Sequence, residues 1–188
     1  MKLIILDRDG VINYDSDAYI KAPAEWQPIP GSLEAIAKLT QAGYTVTVAT
    51  NQSGIARGYY DRATLEQIHQ KMQTLAIAKG GRIDSIFFCP HGPDDNCACR
   101  KPKPGLLQQI AEHYQIDLQN TPVVGDSLRD LEAALAMQCR PYLVLTGNGQ
   151  KTKSKLPNLP ASQVFIDLLT LVNALVEEVA KNTVPSSE

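Results

Sequence analysis

The chain has 188 residues, 44% of them hydrophobic, with 20 acidic and 18 basic side chains for a formal charge of −2. That content can bury a sizeable core and argues against disorder, while the slightly acidic balance excludes a broadly basic surface for a nucleic-acid backbone. No stretch approaches the roughly 18 apolar residues of a membrane span and the first apolar run is too short for a secretory signal, so a soluble cytoplasmic chain is expected.

Residues 3–6 form an apolar run of the kind found in strands buried on both faces. Asp7-Arg8-Asp9-Gly10 follows at once. Crowding carboxylates at the mouth of a buried strand costs several kcal/mol unless a cation or a set of donors holds them, so the pair calls for a divalent metal and a phosphate ester. Residues 14–30, with Trp26 and several prolines, make an excursion beside that point. Leu33, Ile36, Ala37 and Leu39 recur at helical spacing, with Gly31 or Ser32 as cap and Gly43 as stop. A strand at 44–49 leads into Thr50-Asn51-Gln52-Ser53. The next helix has Asp61 as cap and ends at Gly80-Gly81, with Leu65, Ile68, Met72, Leu75 and Ala76 on one face.

A strand at 83–88 runs into Cys89, His91, Cys97 and Cys99, followed by Arg100-Lys101-Pro102-Lys103. Pro104 suits a first helical position, and Leu106, Leu107, Ile110 and Tyr114 continue that helix. A strand at 123–124 delivers Gly125-Asp126-Ser127. A helical stripe then carries Leu131, Leu135 and Ala136, with Cys139 as a small core residue near its end. A strand at 142–145, a loop at 146–163 and a helix at about 167–181 complete the order, and residues 183–188 are expected to fray.

This βα alternation predicts one α/β domain over 1–188. It is a three-layer, Rossmann-like parallel sheet with helices on both faces, a zinc-binding loop at 89–99 and no large cap domain. Ligands of such sheets bind outside the carboxyl ends of the strands, where Asp7, Thr50 and Asp126 all fall. Asp7, ionised at neutral pH, can act as the nucleophile, and Asp9 can pass a proton to the leaving oxygen and take one from water. Asp7 and Asp126 offer hard oxygens to Mg²⁺. Thr50 and the amides after it can donate to phosphoryl oxygens, Lys101 supplies fixed charge, and the fork of Arg100 suits a distal group. Taken singly, each residue has a plainer role: an Asp after a strand as a turn or cap residue, Thr50 or Ser53 as a local hydroxyl, Asp130 as a partner of a helix dipole or an orderer of the metal site.

Three thiols and an imidazole on one polar loop suffice for a closed tetrahedral Zn²⁺ site, which favours a structural role, with a redox pair as the lesser alternative. Zinc would also fix the backbone carrying Arg100 and Lys101. His69 and His113 read as helix-face residues.

Asp7-x-Asp9-Gly10, Thr50-Asn51, Lys101 and Gly125-Asp126-x-x-x-Asp130 together resemble the four motifs of the haloacid dehalogenase superfamily of phosphatases over roughly residues 3–145. The segments 50–58 and 100–105, with the cysteine-histidine loop, extend the likeness to the heptose bisphosphate 7-phosphatase branch and nearly the whole chain. That resemblance implies an Mg²⁺-dependent enzyme with a structural zinc on Cys89, His91, Cys97 and Cys99, serving synthesis of the activated heptose of bacterial surface polysaccharides. Mg²⁺ is expected on Asp7, the Asp9 backbone carbonyl and Asp126. Asp15, Asp17, Tyr19 and Thr50 to Ser53 are expected to line the sugar, with Arg100 in substrate recognition. The implied partner is a small sugar bisphosphate, met by a monomer with neither nucleic acid nor membrane. Two departures are visible: Ser127 stands where the family often has lysine, and the interval between the two ligand pairs is often longer. Histidinol-phosphate phosphatases share the aspartates and zinc loop, so the preference for heptose rests on Ser53 to Gly58 and Pro104-Gly105. A non-catalytic sugar-phosphate binding module has no need of both Asp7 and Asp9.

Overall fold

Strand β1 (Lys2–Leu6) lies at the centre of a six-stranded parallel sheet in the computed structural model, which describes residues 1–156 and 158–183. It is flanked by β2 (Tyr44–Asn51) and β4 (Pro122–Gly125). Strand β3 (Ser85–Cys89) lies outside β2, while β5 (Arg140–Val144) and β6 (Val164–Phe165) extend the other side, for the order β3-β2-β1-β4-β5-β6. The chain therefore winds away from β1 in one direction and then returns to its other side. The crevice that opens at such a switch point is where α/β sheets bind ligands, and here it lies between the carboxyl ends of β1 and β4.

Strand alternation sorts the core into two layers. Ile4, Leu6, Val46, Val48, Val124 and Val144 pack with Trp26 against α1 (Ser32–Gln41), α2 (Arg62–Ala78) and α6 (Leu168–Thr183). Leu3, Ile5, Ala49 and Val123 face α3 (Gly105–Tyr114) and α4 (Leu128–Ala136), and Cys139 joins this second layer as a core residue. Asp61 caps α2 by accepting from the Thr64 amide at 2.8 Å, as its sequence position predicts. Among the described residues no helix is long and apolar enough to cross a membrane.

The expected boundaries need correction at several points. The third strand starts at Ser85 rather than 83, since the Asp84 carboxylate takes the Val46 amide at 2.8 Å just ahead of the ladder. The stretch 146–163 is not one loop: it holds α5 (Gly149–Lys155), a 3₁₀ turn at Ala161–Gln163, and is followed by β6. Helix α5 has no apolar stripe and buries only Gly149 and Thr152, so hydrophobic periodicity has nothing to register. Strand β6 is a two-residue edge paired to Leu143 and Val144. Beyond Thr183, the segment expected to fray lies outside the described residues.

Candidate active site

Asp7 sits at the fork of the sheet, its amide donating to the Val124 carbonyl at 2.9 Å and so continuing the β1–β4 pairing by one residue. Asp126 follows β4, and Asp130 stands on the first turn of α4. Each of these three carboxylates offers an oxygen, all within 4.8 Å of one another. The close approach constrains the backbone. Gly10 has a φ of +81°, and a Cβ there would run into the Asp126 carboxylate; a Cβ on Gly125 would meet Asp130.

The cation in this group is Lys101, whose Nζ lies 3.0 Å from Asp7, 2.6 Å from Asp130 and 2.7 Å from the Ala49 carbonyl. Asn51 braces it, exchanging hydrogen bonds with the Lys101 backbone N–H (3.1 Å) and carbonyl (3.0 Å). Burial by itself would lower the lysine's pKa, but Asp130 and Asp7 outweigh it and raise the value, so Lys101 stays charged. Burial also opposes ionisation of Asp130, yet Lys101 and Ser127 hold its carboxyl below the usual carboxylate range. Burial pushes the Asp7 carboxyl well up; Lys101 pulls it back, and Asp130, Asp126 and Asp9 push it further. Asp126 is pushed up to about 6, by burial first. One lysine is thus too little positive charge for three converging carboxylates. The deficit and the all-oxygen donor set fit a hard divalent cation such as Mg²⁺.

Asp9 lies in a different environment. Arg8 reaches both its oxygens at 2.9 Å, Asn13 donates to one at 2.9 Å, and the Gln52 amide donates to the other at 2.9 Å. Burial disfavours its charge, but the Arg8 guanidinium and these donors win and hold its carboxyl below the usual range. Arg8 is itself fully buried and also contacts Gln52 Oε1 and His69 Nε2, each at 3.2 Å. Since an arginine only donates, His69 accepts through Nε2. Burial and Arg8 together push its pKa down to about 3, so it is neutral. His69, read from sequence as a helix-face residue, is therefore part of the support behind Asp9. Thr50 Oγ1 accepts from Gln52 at 2.8 Å, which leaves its own O–H for another acceptor.

Asp7, Arg8, Asp9, Thr50, Gln52, Lys101, Asp126 and Asp130 line a crevice of about 470 Å³ together with Asp15, Asp17, Tyr19, Asn51, Ser53 and Arg100, so the expected catalytic and sugar-facing residues are gathered in one place. Sequence reasoning missed Arg57, Arg129 and Asn148 on the same walls. Arg129 offered only its spacing three residues after Asp126 as a signal.

Beside the crevice, Cys89, His91, Cys97 and Cys99 converge, again with ligand atoms within 4.8 Å. Cys97 Sγ lies 3.7 Å from both Cys89 and Cys99, and His91 Nδ1 lies 3.6 Å and 3.3 Å from Cys89 and Cys99. Zinc–sulfur bonds of about 2.3 Å give tetrahedral edges near 3.8 Å, so this set could hold Zn²⁺ once Cys89 and Cys99, whose sulfurs lie 3.1 Å apart, spread to that edge. The Arg100 side chain donates to the His91 carbonyl at 3.3 Å, which ties the cluster to the crevice wall.

A HAD-hydrolase-like family model matches residues 98–171. A D-glycero-beta-D-manno-heptose-1,7-bisphosphate 7-phosphatase from Bordetella bronchiseptica is 57% identical over 178 residues, covering 95% of this chain and 99% of the relative. One of the same name from Neisseria meningitidis serogroup B is 51% identical and covers 100% of both chains. The chain belongs to the heptose-1,7-bisphosphate 7-phosphatase family. A crystal structure from B. bronchiseptica, described as D,D-heptose 1.7-bisphosphate phosphatase complexed with magnesium and phosphate, superposes with a TM-score of 0.91 at 57% identity, covering 95% of this chain and 99% of that one.

Within the heptose-1,7-bisphosphate 7-phosphatase family the departure at Ser127 now has a local explanation. Its backbone N–H and hydroxyl both bond the Asp130 carboxylate, at 3.0 and 2.5 Å, closing a capping box at the start of α4. Ser127 therefore fixes the partner of Lys101. The cysteine-histidine cluster ends two residues before this lysine, and the Arg100 side chain between them donates to the His91 carbonyl. Chelation of zinc is expected to lower turnover at least about tenfold, in step with rising hydrogen exchange across 89–103. Full activity in protein shown by elemental analysis to lack zinc contradicts this.

Proposed function

We propose that the chain is an Mg²⁺-dependent phosphatase that removes the 7-phosphate of D-glycero-beta-D-manno-heptose 1,7-bisphosphate. The observation that carries the reaction class is Asp7 at the β1–β4 fork, converging with Asp126 and Asp130 while Lys101 bridges Asp7 and Asp130. Relatives aligned over almost their full length, named for this substrate, support its identity.

In this reading a carboxylate oxygen of Asp7 attacks the 7-phosphorus. The bond from phosphorus to the C7 oxygen breaks, and Asp9 gives that oxygen a proton. A water then attacks the phosphoryl-aspartate, Asp9 takes the water's proton, and Asp7 leaves as inorganic phosphate is formed. Asp7, Asp126 and the Asp9 backbone carbonyl, with Asp130 close by, would hold Mg²⁺, which when bound would supply charge stabilisation for the phosphoryl group. Lys101 and the Thr50 hydroxyl stabilise the equatorial oxygens. The Arg8 pairing suits Asp9 to the base half of this cycle. A phosphate dianion arriving beside it disfavours its charge and so favours the acid half.

Asp15, Asp17, Tyr19 and the 51–53 segment present acceptors and donors to sugar hydroxyls. Arg100, joined by Arg129, meets the second phosphate. The rival substrate, histidinol phosphate, carries no second phosphate for these arginines. Phosphate release assayed on both compounds is expected to give a kcat/KM at least about 100-fold higher for the heptose bisphosphate, the value of two lost charge-assisted contacts. Equal or reversed preference contradicts the assignment.

A further inference from the structure

Asn148, just ahead of α5, takes no part in the steps above, yet it touches two of their carboxylates. Its backbone N–H donates to Asp126 Oδ2 at 2.7 Å. Its side-chain Nδ2 lies 3.0 Å from Asp15 Oδ2 and 3.3 Å from the same Asp126 oxygen. One amide group with two hydrogens thus stands between two acceptor-only carboxylates, one beside the metal and one facing the sugar.

The loop that presents it is held independently of that side chain. Thr146 Oγ1 donates to the Gly10 carbonyl at 2.6 Å, and Thr152 Oγ1 donates to the Asp126 carbonyl at 2.8 Å. Gly147, at a φ of +54°, packs so closely that a Cβ would strike Gly10 and Asp126. The far end of the sugar-facing segment is anchored elsewhere: the Tyr19 ring lies 5.0 Å from Tyr59 and 6.0 Å from the Arg57 guanidinium. At the near end the Tyr14 amide donates to the Gln27 carbonyl at 3.0 Å and the Ser16 amide to Asp15 Oδ1 at 2.8 Å, so what Asn148 sets is the direction of the Asp15 side chain across the crevice.

We infer that Asn148 is a positioning residue that couples metal occupancy at Asp126 to the posture of the sugar-facing loop at Asp15. This rests on reading Asp126 as a metal ligand and Asp15 as a sugar contact. A cation on Asp126 draws charge from the oxygen that competes for the amide and screens its repulsion of Asp15. The amide then bonds Asp15 more strongly, and the loop is set for the sugar. By linkage, sugar binding strengthens metal binding by the same factor.

Heptose 1-phosphate, the product, separates this route from direct ligation, because it lacks the 7-phosphate that would meet the metal. Calorimetric titration of wild-type protein is expected to show Mg²⁺ tightening heptose 1-phosphate at least about fivefold, with reciprocal tightening of Mg²⁺. Asn148→Ala and Asp15→Ala each bring that factor close to one, and the double variant goes no further. The inference is overturned if Asn148→Ala keeps the wild-type factor, or if wild-type protein binds both ligands with no coupling. Wild-type protein that binds neither ligand overturns the functional reading as well.

Discussion

Asp7→Asn yields a folded chain whose turnover falls by about 10⁴-fold or more. The amide keeps the shape of the carboxylate but lacks its charge and nucleophilic oxygen, and loss of a nucleophile removes most of the catalysis of a covalent mechanism. The fold survives because the strand-end placement of residue 7 depends on its backbone N–H to Val124, which the substitution leaves alone. The substitution also removes one of the three carboxylates that converge there, while Lys101 keeps Asp130 as its partner, so thermal stability is expected to be unchanged or slightly raised. Circular dichroism and a phosphate-release assay on the same preparation check both parts. Full turnover in a well-folded Asp7→Asn protein removes Asp7 from the chemistry.

Lys101→Met damages both fold and reaction. The side chain is 5% exposed and lies within 3.0 Å of Asp7 and 2.6 Å of Asp130. Methionine matches its length but leaves two buried carboxylates with no cation between them, and breaking a buried ion pair on one side costs about 3–5 kcal/mol. The expected fall in the urea midpoint corresponds to that loss. Turnover falls by about 10²–10³-fold in addition, the value of one group aimed at developing phosphoryl charge. The two effects separate because excess Mg²⁺ restores part of the stability by neutralising Asp7, while the missing donor to the phosphoryl oxygen is not replaced. A stable and fully active Lys101→Met protein contradicts the role assigned to this residue.

The parts of the site visible in sequence are those whose position is local. Asp7, Thr50 and Asp126 each end an apolar run, so finding the strand also finds the residue, and parallel pairing brings the three ends together. The cysteine-histidine loop is visible for a similar reason: three cysteines and a histidine crowd within eleven residues. The supporting contacts are invisible because they join distant segments. Arg8 meets His69 across 61 positions, and Asn148 meets Asp15 across 133. A charged residue between two aspartates reads as a solvated loop until the fold closes over Arg8, and an asparagine before a lysine-rich stretch reads so until the fold brings Asp126 and Asp15 beside it. Helix α5 was obscured by the same rule that reveals the others, since Gly149 and Thr152 are small or polar and form no stripe. Asn51 shows a different limit. Its place at the end of β2 marks it for the crevice, but its amide spans to the Lys101 backbone, so part of its role is to set a neighbour in place.

Phosphorus-31 NMR of the heptose 1,7-bisphosphate, mixed with the protein and Mg²⁺, tests the central claim most directly. The C7 phosphate resonance is expected to disappear as inorganic phosphate rises in equal amount, with the anomeric phosphate signal retained and no reaction after removal of the divalent cation. Loss of the anomeric phosphate first, or no phosphate release in the presence of Mg²⁺, contradicts the account.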